Sequence, residues 1–237
     1  MKHLPVFGAF LFLTATIVQG QTAQGQTVPG QTLEVGVGEA LIKVAAPEGY
    51  CPLDRKHPLD SQAMALGQQA VPMSEVLAVF AACDQLTDWR DGKVDDPGDT
   101  ADYQVPSLTK TLSFSAPKII PAICTNLRQS GSAIVKGAED QALKNFNSIQ
   151  AFAGKVQLNS QEMYGVLHED ETGCYAGMVQ KSQIHNKAET LFVVVAITVV
   201  KGKVLNFYHG GRLTNPSTIA RLLDTSRATI AATLARN

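Results

Sequence analysis

The chain has 237 residues, of which 45% are hydrophobic and 17% charged, with a formal net charge of −1. That is the balance of a globular protein with an adequate core, and it sets up no field to draw in nucleic acid or an anionic membrane surface, so neither is expected as a partner. Beyond the first eighteen residues no segment is both long enough and free enough of charge to be expected to span a bilayer.

Lys2 and His3 precede an apolar run from Leu4 to Val18, and Val18-Gln19-Gly20 then offers a cleavable step. Residues 1–20 therefore read as a secretory signal peptide, and the product is expected in the periplasm or secreted, beginning at Gln21. The run of about 15 residues is shorter than the roughly 20 that a spanning helix needs. The first cysteine is Cys51, so no lipid acceptor lies at the cut. A five-residue Gln/Gly/Thr unit then recurs three times as far as Leu33. Such residues bury too little apolar area to offset backbone ordering, so 21–32 is expected to be a flexible Gly/Gln/Thr tether and 33–237 a single folded domain.

Within that domain Leu41 to Ala46 alternates as a strand does, and Pro47-Glu48-Gly49 ends it. Ser61 to Ala70, rich in Ala, Met and Leu, predicts a short helix. Val76 to Cys83 fits a helical face and a buried strand alike, and its length and valines tip the reading to strand. Seven aspartates then fall between Asp84 and Asp102, among Gly and Pro, which predicts a solvated loop that Trp89, the one tryptophan, anchors to the core. Ser115 caps a helix reaching toward Gly131, with Ile119, Ile120, Ile123, Cys124 and Leu127 on one side, and 132–149 predicts a second helix. Strands are expected at 155–158, 163–168, 174–181, 191–200 and 203–208. Leu191 to Val200 is β-branched and apolar throughout, so it should be a central strand buried on both faces, and Lys201-Gly202 turns it into the next. Asn215 and Pro216 open a closing helix whose apolar stripe runs from Ile219 to Leu234. The fold class is thus α+β, a largely antiparallel sheet packed by helices in an α/β/α sandwich-like arrangement.

Cys51, Cys83, Cys124 and Cys174 all fall in the exported part, where an even count favours disulfides. Their spacings match neither a redox CxxC nor a zinc motif. Three connectivities are open, and proximity along the chain selects Cys51 with Cys83 and Cys124 with Cys174.

A strand followed by Pro47-Glu48-Gly49-Tyr50-Cys51, then Val76 to Cys83, Gly165-Val166-Leu167, Lys201-Gly202-Lys203 and Ala235-Arg236-Asn237, resembles a set of uncharacterised exported bacterial proteins. The layout is similar, more distantly, to the α/β/α sandwich of PsbP-type proteins, in which a Pro-x-Gly-aromatic step also follows an early strand. The resemblance implies binding or assembly rather than catalysis, and it carries no catalytic residue onto this chain. The acidic stretch after Trp89 and the helical stretch from Ser115 to Ile149 depart from it.

Three constellations are candidates for chemistry. The aspartates at 84–102, with Asp91, Asp95, Asp96 and Asp99 as ligands, offer hard oxygens to a divalent cation but lack the EF-hand spacing. The segment His168-Glu169-Asp170-Glu171, with His185 and His209, holds metal-ligand types without an HExxH, and is better read as polar strand ends. His209-Gly210-Gly211 has the composition of an oxyanion loop, yet no G-x-S-x-G elbow accompanies it, and the glycines read as the exit turn of a strand. Gly36-Val37-Gly38 lacks the rest of a dinucleotide fingerprint. The basic residues Lys181, Lys187, Lys201, Lys203, Arg212, Arg221, Arg227 and Arg236 enrich the last third, as helix faces and turns commonly do. The chain therefore reads as a non-enzymatic exported protein that binds another protein or an envelope component, with no catalytic residue, cofactor or metal assigned. The alternatives are a periplasmic hydrolase built around His168 and His209 and a divalent-cation-binding module at 84–102.

Overall fold

The computed structural model describes residues 30–94, 96–130, 144, 147–148, 156–184 and 187–237. The signal peptide, nearly all of the tether, the second helix at 132–149 except residues 144, 147 and 148, Asp95 and His185 lie outside the described residues.

Nine strands and four helices are described: β1 (Thr32–Val37), β2 (Ala40–Ala45), β3 (Tyr50–Pro52), α1 (Pro58–Ala70), β4 (Ser74–Ala82), α2 (Cys83–Arg90), β5 (Thr100–Pro106), α3 (Ala116–Ser130), β6 (Val156–Asp170), β7 (Gly173–Ile184), β8 (Lys187–Val200), β9 (Lys203–Arg212) and α4 (Ser217–Leu234). β1 and β2 form a hairpin of their own. The others make one antiparallel sheet in the order β3-β4-β5-β9-β8-β7-β6, and helices pack on both faces, so the class is α+β with a single sheet at its centre. β6 to β9 run as a meander, and β5 docks on β9 to join it to β3 and β4. The turn from β8 to β9 has Lys201 at φ 49° and Gly202 at φ 79°, the two positive angles that a tight primed hairpin turn demands.

One face of the sheet carries the main core. Phe80, Tyr103, Tyr175, Phe192 and Phe207 are sealed there beneath Leu222 and Ile230 of α4 and Val37, Ile42 and Val44 of the β1–β2 hairpin. A polar pin fastens these layers. Tyr103 OH donates to Ala45 O at 3.2 Å and lies 2.8 Å from Thr233 Oγ1, which accepts the Ala45 N–H at 3.0 Å. Asn237 then clips both backbone groups of Lys43, which gives the terminal Ala-Arg-Asn a role in holding β2.

The opposite face is covered in two separate places. At the β3–β4 end, α1 and α2 enclose Leu53, Met64, Ala81 and Leu86, with Trp89 packed alongside. Asp60, fully buried in α1, ties the two helices through Arg90, whose Nε donates at 3.0 Å; burial would lift this carboxyl, but Arg90 and the Asp54 amide hold it below the usual carboxylate range. At the β6–β8 end, Ile120 and Cys124 of α3 pack on Cys174, Val199 and Val204. Disulfides Cys51–Cys83 and Cys124–Cys174, with Cα atoms 4.9 and 5.6 Å apart, staple β3 to the start of α2 and α3 to β7.

Val76 to Cys83 resolves as strand, with the helix starting only at Cys83. Three sequence expectations are corrected. The aspartate-rich stretch is not one solvated loop, since Asp84 and Asp88 sit on α2 and Asp102 on β5, where Ala101, Tyr103 and Val105 alternate into the core. The strands expected at 155–158 and 163–168 are one bulged strand, β6, because irregularities in pairing with β7 absorb the breaks in its alternation. His209-Gly210-Gly211 is no exit turn, since β9 continues through it to Arg212, paired with both β5 and β8. β8 is buried on both faces, as its sequence predicts: Phe192, Val194 and Ala196 are sealed in the main core, and Val193 and Val195, only 7% and 9% exposed, pack with Met178 on the other face, where they form part of the floor of a groove.

Candidate functional site

The two helical clusters on the second face leave the middle of the sheet between them uncovered by any described helix, and an open groove of about 590 Å³ lies there. Val71, just past α1, stands on one side and Leu127 of α3 on the other. Strand alternation decides what the groove meets. Residues directly opposite across a ladder share a face, so three rows of side chains cross the floor. They are Arg212, Leu191 and Gln180; then Gly210, Val193, Met178 and Met163; then Asp102, Tyr208, Val195 and Ala176. Apolar side chains form most of this surface, with a few polar groups at one end, as is usual for a small-molecule site.

The polar end is built on β5 and β9. Asp102 is half-buried and lines the groove, and Gln104 Nε2 donates to its Oδ1 at 2.8 Å. Burial pushes its carboxyl up to about 7, against the Gln104 hydrogen bond, which favours the ionised form. Tyr208 faces it across the ladder, and burial together with the Asp102 charge raises the phenol to about 12. At the rim Arg212 forks between Glu189 (2.7 Å) and Asp96 (2.9 Å), while Arg221 of α4 holds Asp99 at 3.0 Å.

The residues singled out from sequence are dispersed. Asp91 pairs with Lys93 at 3.1 Å, Asp96 and Asp99 are engaged by the two arginines, and among the described residues no three His, Cys, Asp or Glu side chains gather as metal ligands. His168 lies 3.0 Å from Asp170, whose other oxygen accepts from the Thr172 amide at 2.9 Å. His209 is fully buried on the core face: Tyr50 OH lies 3.0 Å from Nε2, and Nδ1 lies 3.3 Å from Leu222 O. Proton placement on Nδ1 satisfies both contacts. Burial drops its pKa to about 4. Ser226, also buried, donates to Leu222 O at 2.7 Å and presents no nucleophile to solvent. With β8 and β7 between β9 and β6, the strands that carry the two histidines lie roughly 14 Å apart at the strand spacing of about 4.8 Å, too far for both to reach one reacting group. Much of the basic enrichment is spent internally, Lys203 on Glu39 and Arg227 on Asp170 among others.

Sequence reasoning missed Asp102, Gln104 and Tyr208 as groove residues. The signal was available in Thr100 to Pro106, where Ala101, Tyr103 and Val105 alternate with Asp102 and Gln104, but the density of aspartates before it read as a loop.

No family model matches the chain, and no curated protein matches it. Among solved structures it is similar to the solution structure of cyanobacterial PsbP (CyanoP) from Synechocystis sp. PCC 6803, at 14% identity over 90% of this chain and 96% of that one, with a TM-score of 0.39. A likeness of that size transfers no role.

Proposed function

We propose that this chain is an exported, non-enzymatic binding protein that holds an envelope component with an apolar body in the groove over β5, β9, β8 and β7. The observation that carries the reading is the groove itself, a large aliphatic concavity on a disulfide-stapled sheet. Two disulfides suit an oxidising compartment, in keeping with the secretory signal read at 1–20. Among the described residues His168 and His209 do not converge with a presented nucleophile, which favours binding over hydrolysis.

The test is binding of Nile red to the folded, oxidised protein, read as a blue-shifted rise in emission. Val193→Phe puts a ring into the groove beside Gly210, whose missing side chain leaves room there among the described residues. It should keep a cooperative melt and lose dye binding. A protein that binds no dye, or binds it equally with Phe at 193, removes the groove as the site.

A further inference from the structure

Resting on that reading, we infer that the groove selects an aliphatic amine, a ligand with an apolar chain and one protonated nitrogen, and that the nitrogen seats on the Asp102 carboxylate. The charges lining the groove point this way. Among the described residues that line it, Asp96, Asp99, Asp102 and Glu189 stand against a single guanidinium, that of Arg212. Three of the four carboxylates already have cations, Asp96 and Glu189 on Arg212 and Asp99 on Arg221. Asp102 has none. It receives one hydrogen bond, from Gln104 to Oδ1, and its Oδ2 has no partner among the described residues. Its ladder neighbours are Val79 on one side and Tyr208 on the other, neither able to supply a positive charge.

An unpaired carboxylate at one end of an aliphatic floor is costly to ionise, and burial raises Asp102 to about 7 accordingly. A ligand ammonium would provide the missing charge and a charge-assisted hydrogen bond, while its chain lies along Val195, Val193 and Leu191. A carboxylate or phosphate in the same place meets repulsion from Asp102, and the one lining cation among the described residues is already forked between two acids.

The experiment titrates decylamine, decanoate and decanol, each below its aggregation concentration, into the oxidised protein at pH 8 and low salt, by calorimetry and by Nile red displacement. At that pH Asp102 is ionised and the amine protonated. One charge-assisted hydrogen bond is worth roughly 1.5 to 3 kcal/mol, so the amine should bind roughly tenfold or more tighter than decanoate. Asp102→Asn keeps the size of the side chain and a carbonyl oxygen for Gln104. It should bring the two within about threefold, with decanol affinity unchanged and the melt still cooperative. If all three probes bind alike, or if the preference for the amine survives Asp102→Asn, the inference fails while the groove reading stands. If none binds, both fail.

Discussion

Neighbouring valines on β8 face opposite sides of the sheet, and truncating each to alanine measures how differently those sides are covered. Val194 is fully buried in the main core; Val195 lies on the groove floor. Val194→Ala removes two methyl groups from a sealed space, a transfer loss of about 1.6 kcal/mol plus a cavity contribution, together about 2 to 3 kcal/mol. Val195 is only 9% exposed, so Val195→Ala carries nearly the same transfer loss, but its side chain borders the groove and leaves no new sealed cavity, so the loss should stay at about 1.5 kcal/mol. The fall in β-propensity is common to both and drops out of the comparison. For a domain of this size each kcal/mol shifts the melting temperature by roughly 2 to 4 °C. Thermal unfolding of the oxidised protein, followed by circular dichroism, should therefore show Val194→Ala roughly 5 to 10 °C below the parent and Val195→Ala roughly 3 to 5 °C below it. Equal losses at the two positions would refute the assignment of an open groove to this face.

Two buried groups should give stability opposite slopes with pH. Asp102, raised to about 7, binds its proton more tightly folded than unfolded, so its contribution is full below about pH 4 and is lost as pH rises through 7. His209, lowered to about 4, works the other way, full above its ordinary 6.5 and lost as pH falls toward 4. Denaturant titrations from pH 4 to 8 should accordingly show stability rising more steeply with pH in Asp102→Asn than in the parent, and less steeply in His209→Asn; unchanged slopes in both would remove these two groups as the source. The oxidised protein should contain no free thiol, and replacing Cys124 and Cys174 together by serine should cost about 2 to 4 kcal/mol by urea unfolding under oxidising conditions, a loss near zero arguing against the staple. Gly38→Ala should destabilise by about 1 to 3 kcal/mol, because φ is +58° there and a Cβ would meet Lys110 O at 2.8 Å; a neutral substitution would mean that the β1–β2 turn sits elsewhere.

Where one kind of force dominates, the chain could be read. The valine-rich run of β8, the Lys201-Gly202 turn and the stripe of α4 each depend on local pattern alone, and their boundaries fall within a few residues of those expected. The stretch from Cys83 to Pro106 failed because composition and periodicity pull apart there. Aspartates near Gly and Pro are turn chemistry by count, yet Leu86 and Trp89 dock α2 on Met64, and Tyr103 fixes β5 through Phe207 and Thr233, partners more than 100 residues away. His209 was misplaced for a related reason. Histidine beside two glycines resembles a turn, and only the pairing of β9 with both β5 and β8 shows that it lies inside the sheet.

The groove was illegible for a different reason. No segment encodes it; it is the interval between two helical clusters that cover the two ends of one sheet face. α1 and α2 are tied together at one end by Asp60 and Arg90, and the Cys124–Cys174 bridge holds α3 at the other. Across the middle, which no described helix covers, β5, β9, β8 and β7 contribute rows of side chains from residues 102, 208, 195 and 176, and no spacing rule links such positions before the strand order is known. The same order makes Asp102 the exception among the lining acids. Asp96 and Asp99 lie in the loop ahead of β5, within reach of Arg212 and Arg221, whereas Asp102 enters the ladder between Val79 and Tyr208, where neither arginine is its partner. Three residues along the chain thus separate an acid that closes the rim from one left facing the groove, and on that difference rests the proposed preference for a cationic ligand.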